Sequence, residues 1–184
     1  MCPDRIKPAK FNIPGHAHGL TFSCFRLQPL LNCNYARQLF ADSVDIAAIK
    51  YNFDVWAYVI MPEHVHLLIF PCEENYSISA ILKGVKQATS QAYIHWCREN
   101  QPENLETMRS GIQHPMHRFW QKGGGYDRNF WNPKEIRKQI DYIHMNPVRR
   151  GLVENPGDWE WSSAGFWMYG KQGRIHVERR YVPY

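Results

Sequence analysis

The clearest alternation of apolar and polar positions runs from Val55 to Phe70, through Met61-Pro62-Glu63. It predicts two strands joined by a turn at that Met-Pro-Glu. Neighbouring side chains of a strand point to opposite faces. Val65, Leu67 and Ile69 therefore make one apolar face of the second strand. His64, His66, Leu68 and Phe70 make the other. Gly19 to Phe25 predicts an earlier strand. Tyr35 to Lys50 and Ser77 to Glu99 carry apolar residues at helical intervals. Asn132 suits a helix N-cap, Pro133 the first helical position, and Glu135 a capping-box spacing. Ile136, Ile140 and Ile143 then form a buried stripe, and Pro147 ends that helix near Asn146. Phe119 to Trp131 predicts strand structure interrupted by Gly123-Gly124-Gly125, and Asn100 to His117 a long connection. The order strand, helix, strand, strand, helix, strand, helix favours an α+β fold, a ferredoxin-like antiparallel sheet with helices packed on it. The Val55–Phe70 hairpin is expected near its middle, with the two histidines on a central strand.

Two imidazoles projecting from one strand can hold a divalent metal if a third ligand arrives from elsewhere. Two half-buried strand histidines bonded to neighbours fit the same pattern. On the last helix Tyr142 and Asn146 are four residues apart and share a face. That face lies about 80–120° from the isoleucine stripe. A tyrosine serving the core would sit on the stripe. A boundary tyrosine and a plain C-cap asparagine fit the spacing equally well.

Taken together, these features resemble the HUH single-tyrosine transposases. The strings Pro62-Glu-His-Val-His-Leu-Leu68, Phe119-Trp-Gln-Lys122 through Tyr126-Asp-Arg128, Tyr142-Ile-His-Met-Asn-Pro-Val148 and Trp161-Ser-Ser-Ala164 resemble the REP-associated tyrosine transposases within them. The resemblance covers roughly residues 15–165. It implies a metal-dependent enzyme that cleaves and rejoins single-stranded DNA beside hairpins, here REP-like palindromes. Tyr142 would be the nucleophile, forming a 5′-phosphotyrosine and a free 3′-hydroxyl. His64, His66 and Asn146 would hold Mg2+ or Mn2+. Many insertion-sequence relatives carry glutamine where this chain has Asn146, one methylene shorter. Two other functions keep part of the pattern. A nuclease activating water would need the histidines and not Tyr142. A hairpin-binding regulator would need neither.

Charge sharpens the picture. The 184 residues carry a formal net charge of +5. Eight basic residues face three acids between His117 and Arg150, an excess equal to that of the whole chain. Arg118, Lys122, Arg128, Arg137, Lys138, Arg149 and Arg150 are therefore candidate DNA contacts, with Lys83 and Lys86 off the apolar stripe of their helix. A solvated helix face explains some of them as well. Tyr126, beside the glycines, is the aromatic best placed to stack on a base. Phe119, Trp120, Phe130 and Trp131 read mostly as core.

The length suggests one domain over 1–184, with a basic tail at about 166–184 that either folds back or meets DNA. Five scattered cysteines with no Cys-x-x-Cys pair suggest reduced thiols. Met1 to Lys10 lacks a signal-peptide core, and no apolar run approaches membrane-spanning length. A cytoplasmic, nucleoid-associated bacterial protein, monomer or homodimer, is the expectation.

Overall fold

The computed structural model describes residues 12–113 and 116–183. The Met1–Lys10 segment lies outside them. Four strands, β1 (Ala17–Ser23), β2 (Phe53–Ile60), β3 (His64–Pro71) and β4 (Tyr126–Phe130), form one sheet in the order β2-β3-β1-β4. Every pairing is antiparallel. Helix α1 (Asn34–Tyr51) joins β1 to β2, and α2 (Ile78–Asn100) follows β3. The short α3 (Glu103–Thr107) precedes β4, and α4 (Pro133–His144), α5 (Asn146–Arg149) and α6 (Ala164–Tyr169) follow it. The βαββαβ order and strand arrangement are ferredoxin-like, as the pattern predicts.

Each face of the sheet is closed by different helices. Leu20, Phe22, Val65, Leu67 and Ile69 pack with Phe40 and Val44 of α1 and Ile81, Leu82 and Val85 of α2. Ala17, Ala57, Leu68 and Phe130 pack on the other face with Ile136, Ile140 and Ile143 of α4. Asn132 Oδ1 accepts from Lys134 N–H at 2.9 Å and Glu135 N–H at 3.4 Å, capping α4 as expected.

Three expectations are corrected. β2 lies at the sheet edge, so only β3 of the hairpin is interior. All eight β2 residues are nonetheless buried, because Trp161–Ser163 covers that edge. Ile60 N–H donates to Trp161 O at 2.8 Å and Ser163 N–H to Tyr58 O at 3.0 Å. The strand predicted over Phe119–Trp131 shrinks to Tyr126–Phe130. Phe119 and Trp120 instead drive their rings into the core, with a single bridge from Trp120 to Cys24. The connection over Asn100–His117 contains α3, anchored by buried Met108. Helix α4 ends at His144 with Met145 as its C-cap, close to the end expected from Pro147, and Asn146 opens α5.

The C-terminal segment folds back. Ile175 and Val177 are buried, and Tyr58 Oη accepts from Arg174 N–H at 2.9 Å.

Candidate functional site

The site grows from the β3 face that α4 leaves partly open. The sheet register places His66 opposite Thr21 of β1 and Val59 of β2. Directly opposed residues share a face, so His66 sits beside Thr21. Its Nδ1 lies 2.7 Å from Thr21 Oγ1. His64, two residues earlier, shares the face, and the two Nε2 atoms are 3.1 Å apart. His64 Nδ1 donates to Glu63 Oε1 at 3.0 Å. A carboxylate only accepts, so the neutral His64 ring keeps its proton on Nδ1 and a lone pair on Nε2. Burial pushes the His66 imidazole down to about 4, helped by its His64 neighbour. Burial also lowers His64. Both rings are therefore neutral at neutral pH.

Tyr142 approaches from α4. Its ring meets His66 edge to face with centroids 5.6 Å apart, and it is 44% exposed. Asn146 Nδ2 donates to Tyr142 O at 2.9 Å, which turns Oδ1 toward the His66 ring. Thr21, His64, His66, Tyr142 and Asn146 line one open cleft of about 760 Å³. Glu63 and Arg150 close one side. Arg150 Nη1 donates to Glu63 Oε1 at 2.6 Å. Burial alone would raise the Glu63 carboxyl, but Arg150 and His64 outweigh it and hold it below the usual range. Arg149 stands over the Tyr142 ring at 4.8 Å and donates to its carbonyl.

The donor set fits a divalent ion. Thr21 can donate to His66 Nδ1 or accept from it. His66 can therefore give its Nε2 proton to His64, or hold it on Nδ1 and free Nε2. In the second state two lone pairs and the Asn146 oxygen converge. No group of three His, Cys, Asp or Glu able to bind a metal occurs among the described residues. Asn146 Oδ1, turned toward the His66 ring, would be the third protein donor.

The other predicted contacts divide between the two sides of the sheet. Arg128, Arg137 and Lys138 lie with α4 and β4. Arg128 and Lys138 both pair with Glu135, at 3.7 and 2.9 Å. Lys83, Lys86, Arg118 and Lys122 line a groove beside α2. Lys86 Nζ is engaged there by the carbonyls of Gln121 and Gly123. Tyr126 is 59% exposed, as expected, but so is Trp131 at 67%, contrary to its reading as core. Trp131 follows the last residue of β4 and stacks on His16 instead.

Sequence reasoning missed Thr21, Glu63 and Leu27. Glu63 stands inside the Pro-Glu-His-Val-His string and was legible as a neighbour of His64. Thr21 is 45 residues from His66 and only the register joins them. Leu27 lines the cleft with a backbone φ of 56°, unusual for a bulky side chain, and no local signal marks it.

Comparison with known proteins bears on this arrangement. The family model described as "Transposase IS200 like" matches residues 28–145. A Haemophilus influenzae protein provisionally named a REP-associated tyrosine transposase is 30% identical over 118 residues, 61% of this chain and 60% of that one. The REP-associated tyrosine transposase of Escherichia coli K12 is 28% identical over 111 residues, 60% of this chain and 54% of that one. The matches thus span little more than half the length of these curated relatives. A solved REP-associated tyrosine transposase bound to a REP hairpin superposes with a TM-score of 0.70 at 21% identity, covering 95% of this chain and 92% of that one. That likeness concerns the fold.

Proposed function

Because the chain belongs to the IS200-like transposase family, we propose that it nicks and rejoins single-stranded DNA beside REP-like hairpins through a 5′-phosphotyrosine at Tyr142. The observation that carries this reading is the exposed Tyr142 ring against His66, in the cleft where His64 and Asn146 converge. Tyr142 Oη attacks the scissile phosphorus. The O–P bond forms, the P–O3′ bond breaks, and the phenol proton leaves to solvent while the 3′ oxygen takes one up. Rejoining reverses these steps, since the covalent link conserves the phosphodiester. The helix holds the nucleophile, and Asn146 fixes the last turn to the Tyr142 carbonyl. Arg149 and Arg150 bring positive charge to the cleft edge, where phosphate would enter. Mg2+ or Mn2+ held by His64, His66 and Asn146 would supply Lewis-acid polarisation of the phosphate. The activity belongs to a cytoplasmic, nucleoid-associated protein, and no helix among the described residues is long and apolar enough to cross a membrane.

The test is incubation of labelled hairpins bearing single-stranded flanks, with and without Mg2+, followed by denaturing electrophoresis. A covalent protein–DNA adduct is expected for the unaltered protein and none for Tyr142→Phe. Mass spectrometry should place the nucleotide on Tyr142. Cleavage without an adduct would support water activation, binding alone would support a regulator, and a nucleotide on Tyr126 would move the nucleophile.

A further inference from the structure

A second concave surface lies across the sheet from the tyrosine cleft. It is a groove of about 620 Å³ between α2 and residues 117–124. Lys83, Lys86, Arg118 and Lys122 line it, and its described lining contains no aspartate or glutamate. Gln87 and Gln91 add amide donors and acceptors on the same helix. Since α2 packs on the Phe22 and Val65 face, the groove and the histidines occupy opposite faces.

Two details join them. Lys86 Nζ reaches across the groove to Gly123 O at 2.7 Å and Gln121 O at 3.1 Å. The walls are thus one lysine side chain apart, much less than the width of a duplex. The glycine turn then lies flat on β1: Gly125 has φ +73°, and a Cβ there would collide with the Thr21 carbonyl. No side chain from these glycines obstructs the sheet edge. The next residue, Tyr126, opens the edge strand β4. It stands opposite Thr21, which stands opposite His66, so one row crosses three strands on the cleft face. Two strand spacings, roughly 10 Å, separate Tyr126 from His66.

We propose that one unpaired DNA strand follows this path. Its phosphates lie against Lys83, Arg118 and Lys122 in the groove. The chain crosses the β4 edge over Gly123 and Gly124, stacks a base on Tyr126, and delivers the scissile phosphate to Tyr142. The proposal rests on the nicking activity argued above and adds a remote grip on the opposite face. The glutamine amides give base edges hydrogen-bonding partners, while phosphate contact supplies the salt-dependent part.

The test uses Tyr142→Phe protein, so that DNA is not consumed. The probe is a fluorescein-labelled oligothymidylate of about fifteen nucleotides, within the range such surfaces bind. Anisotropy titrations at several salt concentrations give the affinity and its salt slope. Adding Lys83→Ala and Lys122→Ala, both exposed positions, should lower the slope by about 1.4, two contacts at about 0.7 each. Tyr126→Ala should weaken binding about tenfold and leave the slope alone. Photo-crosslinking with 4-thiothymidine should link one oligonucleotide to peptides of both α2 and β4, from separate positions. An unchanged slope, a duplex bound as tightly as the single strand, or cross-links confined to α4 would overturn the path. Because this readout needs no chemistry, its failure leaves the adduct assay standing, and failure of the adduct assay leaves it readable.

Discussion

The two faces of the sheet are made from the same strands and solve opposite problems. On the α1/α2 face Val65, Leu67 and Ile69 meet Phe40, Val44, Ile81 and Val85, all buried. On the other face α4 covers Leu68 with its isoleucines and then stops. One step further along β3 the same face carries His66 and then His64, beside an open cleft. Alternation thus gives every odd-numbered β3 residue from Val65 to Ile69 to the core, while the other face changes along the strand from buried Leu68 to the two imidazoles at the cleft. A fully covered second face would have sealed those imidazoles off from any ligand in the cleft. Partial coverage leaves them desolvated enough to stay neutral and open enough to be reached.

A pair of substitutions breaks this division most sharply. Tyr142→Phe should reduce adduct formation by roughly 10³-fold or more, the scale of losing a nucleophile. Its stability should stay within about 0.5 kcal/mol, because the phenol is exposed and has no buried partner to orphan. Phe40→Ala, fully buried on the other face, should cost about 3–5 kcal/mol. Urea unfolding measures both. A Tyr142→Phe protein that unfolds easily, or a Phe40→Ala protein that does not, would erase the distinction.

His144 tests the seam between the faces. It closes the last turn of α4, buried, with Nε2 2.8 Å from Ser163 Oγ. Ser163 Oγ in turn accepts from Tyr58 N–H at 2.9 Å, so the tyrosine helix is tied to β2. Burial pushes the His144 imidazole down from 6.5 to about 4. The unfolded chain therefore binds a proton that the folded chain refuses. The stability is fully present above about 6.5 and falls as pH drops toward 4, by roughly 3 kcal/mol in all. His66 is depressed to about 4 as well and adds to the same window. His144→Gln should flatten the fall in urea midpoint between pH 7 and pH 5. Parallel curves for both proteins would place the acid sensitivity elsewhere.

What the sequence reveals tracks how local the cause is. The α4 cap, its isoleucine stripe and the exposure of Tyr142 follow from spacing within about ten residues, and the structure agrees with each. The Asn146 contact to Tyr142 is also local, four residues away. The strand reading of Phe119 and Trp120 fails because aromatic residues favour strands on propensity alone. Here tertiary packing turns them inward before the chain reaches β4. The groove on the far face depends on how α2 meets the glycine turn, a contact 37 residues apart in sequence that no periodicity encodes. Arg150 was readable as basic but not as the partner of Glu63, 87 residues earlier.

That ion pair yields the smallest and most specific prediction. Glu63 Oε1 accepts from both His64 Nδ1 and Arg150 Nη1. The first bond fixes the proton on Nδ1 and aims the Nε2 lone pair into the cleft. The second keeps the carboxylate ionised, and therefore an acceptor. Thr21 holds His66 from behind in the same manner, but its hydroxyl can reverse direction, so it orients the ring without fixing the proton. Loss of such an outer partner typically costs 10–100-fold in metal affinity. Glu63→Gln keeps an acceptor oxygen and loses the charge. It should weaken Mn2+ binding, followed by calorimetry, by about tenfold, toward the low end of that range. Thr21→Val should weaken it less, since His66 keeps its place in the strand. Equal Mn2+ affinity for Glu63→Gln and the unaltered protein would show that the carboxylate serves Arg150 alone.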